Sequence, residues 1–99
     1  MTDEEIITAY FRRDEAAIRL SQSRYGGYCR SLIARILGSP EDVEEALSDL
    51  WLRAWESIPP NRPNNLKLYL GRIGRNLACN RLRDGRAAKR VDGDDAVLE

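Results

Sequence analysis

The chain has 99 residues, a formal net charge of zero, no histidine and two cysteines. Such a length makes one small domain that buries roughly 60–68% of its unfolded surface, which leaves no room for a deep pocket. The absence of histidine removes the commonest metal ligand and general acid–base group. With no glycine-rich phosphate loop and no carboxylate pair in a cleft, neither an enzyme nor a metal or cofactor carrier is expected. Cys29 and Cys79 lie fifty residues apart without metal-binding spacing and read as reduced packing residues of a cytoplasmic protein. The apolar runs are far too short to span a bilayer, and nothing points to export or a membrane.

The elements read as all-α, a compact bundle of three to four helices. Thr2 with Glu5 three residues later is a capping box ahead of Ile6, Ile7, Tyr10 and Phe11, and predicts a short helix to about Arg12. Asp14 can cap a second, longer helix with apolar positions at Ile18, Tyr25, Tyr28, Leu32, Ile33, Ile36 and Leu37, ending at Gly38. Gly26-Gly27 inside it costs about 1 kcal/mol per glycine relative to alanine, and suggests close helix packing or a kink. Ser39-Pro40-Glu41-Asp42 supplies a cap, a first-turn proline and acidic residues for a third helix to about Ser57. Pro59-Pro60-Asn61-Arg62-Pro63-Asn64-Asn65 can only be a loop. Asn65 can cap a fourth helix from Leu66 through at least Arg83. No strand pattern or repeat is visible.

Charge is distributed unevenly along these elements. The first sixty residues hold eleven acids and seven bases, whereas Arg62 to Arg90 hold nine bases and the single acid Asp84. The last nine residues carry four acids and no base. A solvated helix normally interleaves acids for i,i+4 pairing; their absence on the fourth helix points to a polyanion partner, most simply nucleic acid. On that helix Leu66, Leu70, Ile73 and Leu77 form the expected buried seam. Arg72, Arg75, Arg83 and Arg86 collect opposite, with Cys79 among them and Arg90 in line if the helix continues past Gly85. Tyr69, Asn76 and Asn80 border the two faces, where a ring or amide can reach bases. The third helix turns Val43, Leu47, Leu50, Trp51, Ala54 and Ile58 inward, with Trp55 on the border. Asp42, Glu45, Asp49 and Glu56 surround an exposed Leu52 on the other side, a layout suited to a basic protein partner. Leu47, Leu50, Trp55, Leu70, Ile73 and Leu77 are expected in one core.

The segment Asp42-Val43-Glu44-Glu45-Ala46-Leu47-Ser48-Asp49-Leu50-Trp51-Leu52-Arg53-Ala54-Trp55 resembles the "DAEDLVQETFLRAW" pattern of bacterial sigma factors. Leu66-Lys67-Leu68-Tyr69-Leu70-Gly71-Arg72-Ile73-Gly74-Arg75-Asn76 is similar to the "FRAWLYRIARN" segment that follows it there. Two motifs joined by a proline-rich loop resemble region two of the extracytoplasmic-function group over about residues 3–90. Residues 1–90 are thus expected to be the domain, and 91–99 the start of an acidic linker or an added tail.

The resemblance implies a transcription initiation factor. Its third helix would bind the clamp helices of the core RNA polymerase beta-prime subunit through Glu44, Glu45, Ser48, Asp49 and Leu52. The loop would hold a base flipped out of the minus-ten promoter element, on the non-template strand, through Asn61, Arg62, Asn64 and Asn65. The fourth helix would contact the melting strand through Lys67, Tyr69, Arg72, Arg75, Asn76, Asn80, Arg83 and Arg86. Glu45 and Ser48 stand where that pattern has Asp and Gln, Leu66 and Tyr69 where it has Phe and Trp, and Gly74 where it has Ala. Two other readings compete: a helical module bound by an anti-sigma-like regulator, and an unrelated helical nucleic-acid-binding domain.

Overall fold

Thr2 opens the first helix through both halves of a capping box: its hydroxyl accepts the Glu5 N–H, and the Glu5 carboxylate accepts the Thr2 N–H. A computed structural model describes residues 2–85 and 87, and in it the chain forms α1 (Asp3–Phe11), α2 (Ala16–Ala34), α3 (Pro40–Ser57) and α4 (Leu66–Arg83). The structure is all-α: the described residues contain four helices and no strand. Ser39 caps α3 with Pro40 behind it, and the Asn65 side chain caps α4 by accepting the Leu68 N–H at 3.1 Å. Asp14 accepts the Ala16 N–H at 2.9 Å, one residue earlier than the helix boundary at Glu15. No described helix is long and apolar enough to cross a membrane.

Helices α2, α3 and α4 pack against one another, and α1 lies on α2. Their common core draws Ile6, Ile7 and Tyr10 from α1, Ala17, Cys29 and Ile33 from α2, Leu47, Leu50 and Ala54 from α3, and Leu66, Leu70 and Leu77 from α4. Tyr10 and Ser21 share a buried hydroxyl–hydroxyl hydrogen bond of 2.7 Å, so neither polar tip is stranded. The second helix stops at Ala34, short of Gly38. Ile36 and Leu37 enter the core from the turn that follows, which is why they read as part of a helical stripe.

Two details of the expected core shift. Ile73 and Trp55 are half-buried and pack on the core's edge, while Leu47, Leu50, Leu70 and Leu77 are inside it. The seam of α4 runs instead through Leu66, Leu70, Gly74, Leu77, Ala78 and Arg81, because glycine at its centre lets the helix axes approach. A Cβ on Gly74 would stand 2.9 Å from Leu50 Cδ1 and 3.3 Å from Ile33 Cδ1. Close packing therefore belongs to Gly74, and to Gly71 against Tyr28, not to Gly26-Gly27. A Cβ at Gly27 would meet nothing within 4 Å, and α2 continues through the pair unbroken.

Candidate docking and nucleic-acid interface

The outward side of α3 follows from its own periodicity: burying Val43, Ala46, Leu47, Leu50 and Ala54 turns Glu41, Glu45, Ser48, Leu52 and Glu56 to solvent. Leu52 is 54% exposed at the middle of this ridge, as the sequence suggests. Glu44 lies on the flank nearer α2 and forms an exposed ion pair with Arg30. Ser48 and Glu44 also line a groove of about 370 Å³ with Gly26, Gly27 and Trp51.

Glu45 and Asp49 are not the independent surface acids that the sequence suggests. Each binds the guanidinium of Arg81 from α4, Glu45 Oε1 to Nη1 and Asp49 Oδ2 to Nη2, both at 2.9 Å. Arg81 is 8% exposed. Burial disfavours its charge, but the hydrogen bonds it donates to Asp49 and Glu45 outweigh that and hold its pKa above the ordinary arginine value. Sequence reasoning missed this residue; the available signal was its position one turn beyond Leu77 on the seam of α4, opposite the acids of α3.

Three arginines of the basic row expected on α4 are described. Arg72, Arg75 and Arg83 are exposed and form no ion pair among the described residues; Arg83 donates to Asn80 Oδ1 at 2.6 Å. Lys67 is exposed with its ammonium over the Tyr28 ring at 4.6 Å. Asn76 is exposed, while Asn80 and Tyr69 are half-buried. These two line a shallow groove of about 180 Å³ with Asn76, Arg53 and Ile73. Arg86 and Arg90 lie outside the described residues, as does the acidic segment 91–99.

The 59–65 loop is pinned rather than loose. Arg13, at the α1–α2 corner with φ of 56°, donates to the Trp55 and Ile58 carbonyls at 3.0 and 2.9 Å while its guanidinium stacks 3.7 Å above the Trp55 ring. That closes the C-terminal end of α3 and fixes where the loop departs. Asn61 Nδ2 donates to Tyr69 Oη at 3.1 Å, and Tyr69 Oη donates to Ser57 Oγ at 2.7 Å. Arg62 is drawn to α1, where it pairs with Glu4 at 2.8 Å and sits 5.3 Å from the Phe11 ring centre. The Asn65 carbonyl oxygen is committed to the helix cap. The four loop residues singled out in the sequence therefore differ. Asn64 is exposed with no side-chain bond among the described residues, whereas Asn61, Arg62 and Asn65 already have partners.

Between loop and helix lies a cavity of about 260 Å³ lined by Pro63, Asn64, Asn65, Leu68, Tyr69 and Arg72. Its walls combine an aromatic ring, an exposed leucine, two amides and a guanidinium. That set can stack on a flat ring, hydrogen-bond its edge and neutralise an adjacent phosphate. It offers no nucleophile–base pair, and among the described residues no cluster of His, Cys, Asp and Glu could hold a metal. No curated protein and no solved structure matches the chain. A family model described as sigma-70 region 2 matches residues 22–88, which covers most of α2 and all of α3, the loop and α4. The chain therefore belongs to the sigma-70 region 2 family, that of sigma factors of transcription initiation.

Proposed function

We propose that this chain is region two of an extracytoplasmic-function sigma factor. In this reading the α3 ridge docks on the clamp helices of the polymerase beta-prime subunit through Glu44, Glu45, Ser48, Asp49 and Leu52. The loop and α4 capture and hold open the non-template strand of the minus-ten element through Asn61, Arg62, Asn64, Asn65, Lys67, Tyr69, Arg72, Arg75, Asn76, Asn80, Arg83 and Arg86. The observation that carries the reading is the small cavity at Asn64, Tyr69 and Arg72, which opens at the head of a row of exposed arginines. A protein without ATP or catalytic groups opens DNA only by binding the open form better. A captured base and phosphate contacts must then offset the few kcal/mol of unstacking and unpairing.

Two measurements test it. The chain should co-purify with core RNA polymerase, and should bind single-stranded oligonucleotides carrying a minus-ten sequence of the non-template strand more tightly than scrambled ones. Leu52→Asp should abolish the first while leaving the domain folded, since Leu52 is 54% exposed and is not one of the buried core residues. Retention of polymerase by that variant would remove docking from the α3 ridge. Equal affinity for all oligonucleotides would leave a nucleic-acid-binding module with no promoter preference.

A further inference from the structure

Arg81 differs from every other base of α4 discussed above. It is 8% exposed, so it cannot reach a phosphate, and its guanidinium turns toward α3. The two carboxylates it holds are one helical turn apart and remain largely open to solvent, with the side chains of Glu45 65% and Asp49 47% exposed. Each gives one oxygen to the arginine; the second, Glu45 Oε2 or Asp49 Oδ1, has no partner among the described residues. Two negative groups on one positive group leave a net negative pair of oxygens at fixed positions, which suits a cationic helix.

We propose that Arg81 is a positioning residue of the docking face, holding Glu45 and Asp49 in the rotamers that a cationic partner helix meets. The inference rests on the reading of α3 as the polymerase-docking face. An unrestrained surface Glu or Asp samples several rotamers, and ordering it on binding consumes part of the interaction energy. A buried arginine shared by both removes that cost beforehand. Arginine suits the task because its two terminal nitrogens diverge and serve two acids at once, whereas an ammonium is a point charge without that fork.

The test titrates the whole chain with core RNA polymerase at a temperature where thermal melts show every variant folded. Arg81→Met should weaken binding roughly tenfold, the scale of two side chains left to be ordered on association. Arg81→Lys should fall between parent and Arg81→Met. In a Glu45→Gln, Asp49→Asn background, Arg81→Met should cause no further loss, because no carboxylate remains to position. Binding of Arg81→Met equal to the parent would overturn the inference. So would the same loss in both backgrounds, which is what an arginine that merely joins α3 to α4 would give. Failure of the parent to bind polymerase at all would overturn the docking reading and this inference with it.

Discussion

At Gly74 side chains of α2 and α3 press on the backbone of α4, with Leu50 and Ile33 filling the space a side chain would take. The sigma-factor patterns carry Ala opposite Gly74 and Thr opposite Leu50, so this chain combines a smaller residue on α4 with a larger one on α3. Gly74→Ala alone is expected to cost about 1–2 kcal/mol: overpacking costs roughly 1–3, and the helix propensity of alanine returns up to about 1. Combined with Leu50→Val, which withdraws the crowding methyl, the same alanine should be neutral or favourable relative to Leu50→Val alone. Urea unfolding of the four proteins measures that coupling, and simple additivity would refute the packing argument. Gly27→Ala should instead stabilise by about 0.5–1 kcal/mol, since nothing stands within 4 Å of the added methyl. The cysteines divide in the same residue-by-residue way. Cys29 is fully buried and burial pushes its thiol up to about 11, whereas Cys79 is exposed on α4. A thiol-alkylating reagent at neutral pH should modify Cys79 in the native protein and reach Cys29 only on unfolding.

At the scale of the element, α4 shows how far periodicity reaches. Its limits, its Asn65 cap and its exposed arginines were legible because cap chemistry and the charge pattern are local properties of the chain. The facing of the seam was not: Ile73 and Gly74 lie side by side, hydrophobicity favours the isoleucine, and only the partner helices determine that the glycine is central. Leu70→Ala should therefore cost about 2–5 kcal/mol, and Ile73→Ala clearly less, a reversal of which in thermal melts would restore the seam to Ile73. The loop was legible as a loop from its prolines. Its ties were not, because Glu4 and Phe11 of α1 and Arg13 of the corner that follows reach it from more than forty residues away in sequence. Asn65 shows the consequence for any test of base recognition. Replacing it by alanine removes a helix cap worth about 0.5–2 kcal/mol, so a loss of DNA affinity would have two causes. Asn65→Ser retains the cap while removing the amide, and Asn64→Ala touches no cap at all.

At the scale of the molecule, the neutral total charge conceals an acidic α3 ridge and a basic α4 face joined through one buried arginine. This division predicts different behaviour for loop and helix in DNA binding. Asn64 and the amide of Asn65 face the cavity where a base would sit, so Asn64→Ala and Asn65→Ser should change discrimination among single-stranded minus-ten oligonucleotides by about 1–3 kcal/mol, the scale of a good base contact. Arg75 and Arg83 lie away from that cavity on the exposed row, and their replacement should weaken all oligonucleotides alike. Each lost phosphate contact should also flatten the logarithmic salt dependence by about 0.7, the value for single strands. Arg72 lines the cavity and belongs to the row, so Arg72→Ala should show both signatures at once. Arg62, held by Glu4 and Phe11, should show neither until that exposed ion pair opens. At roughly 0–1 kcal/mol for such a pair, opening is well within reach of a nearby phosphate. Titrations of these variants at several salt concentrations separate the two effects. A base preference unmoved by the loop changes but shifted by Arg75 or Arg83 would reverse the assignment and make α4, not the loop, the element that reads sequence.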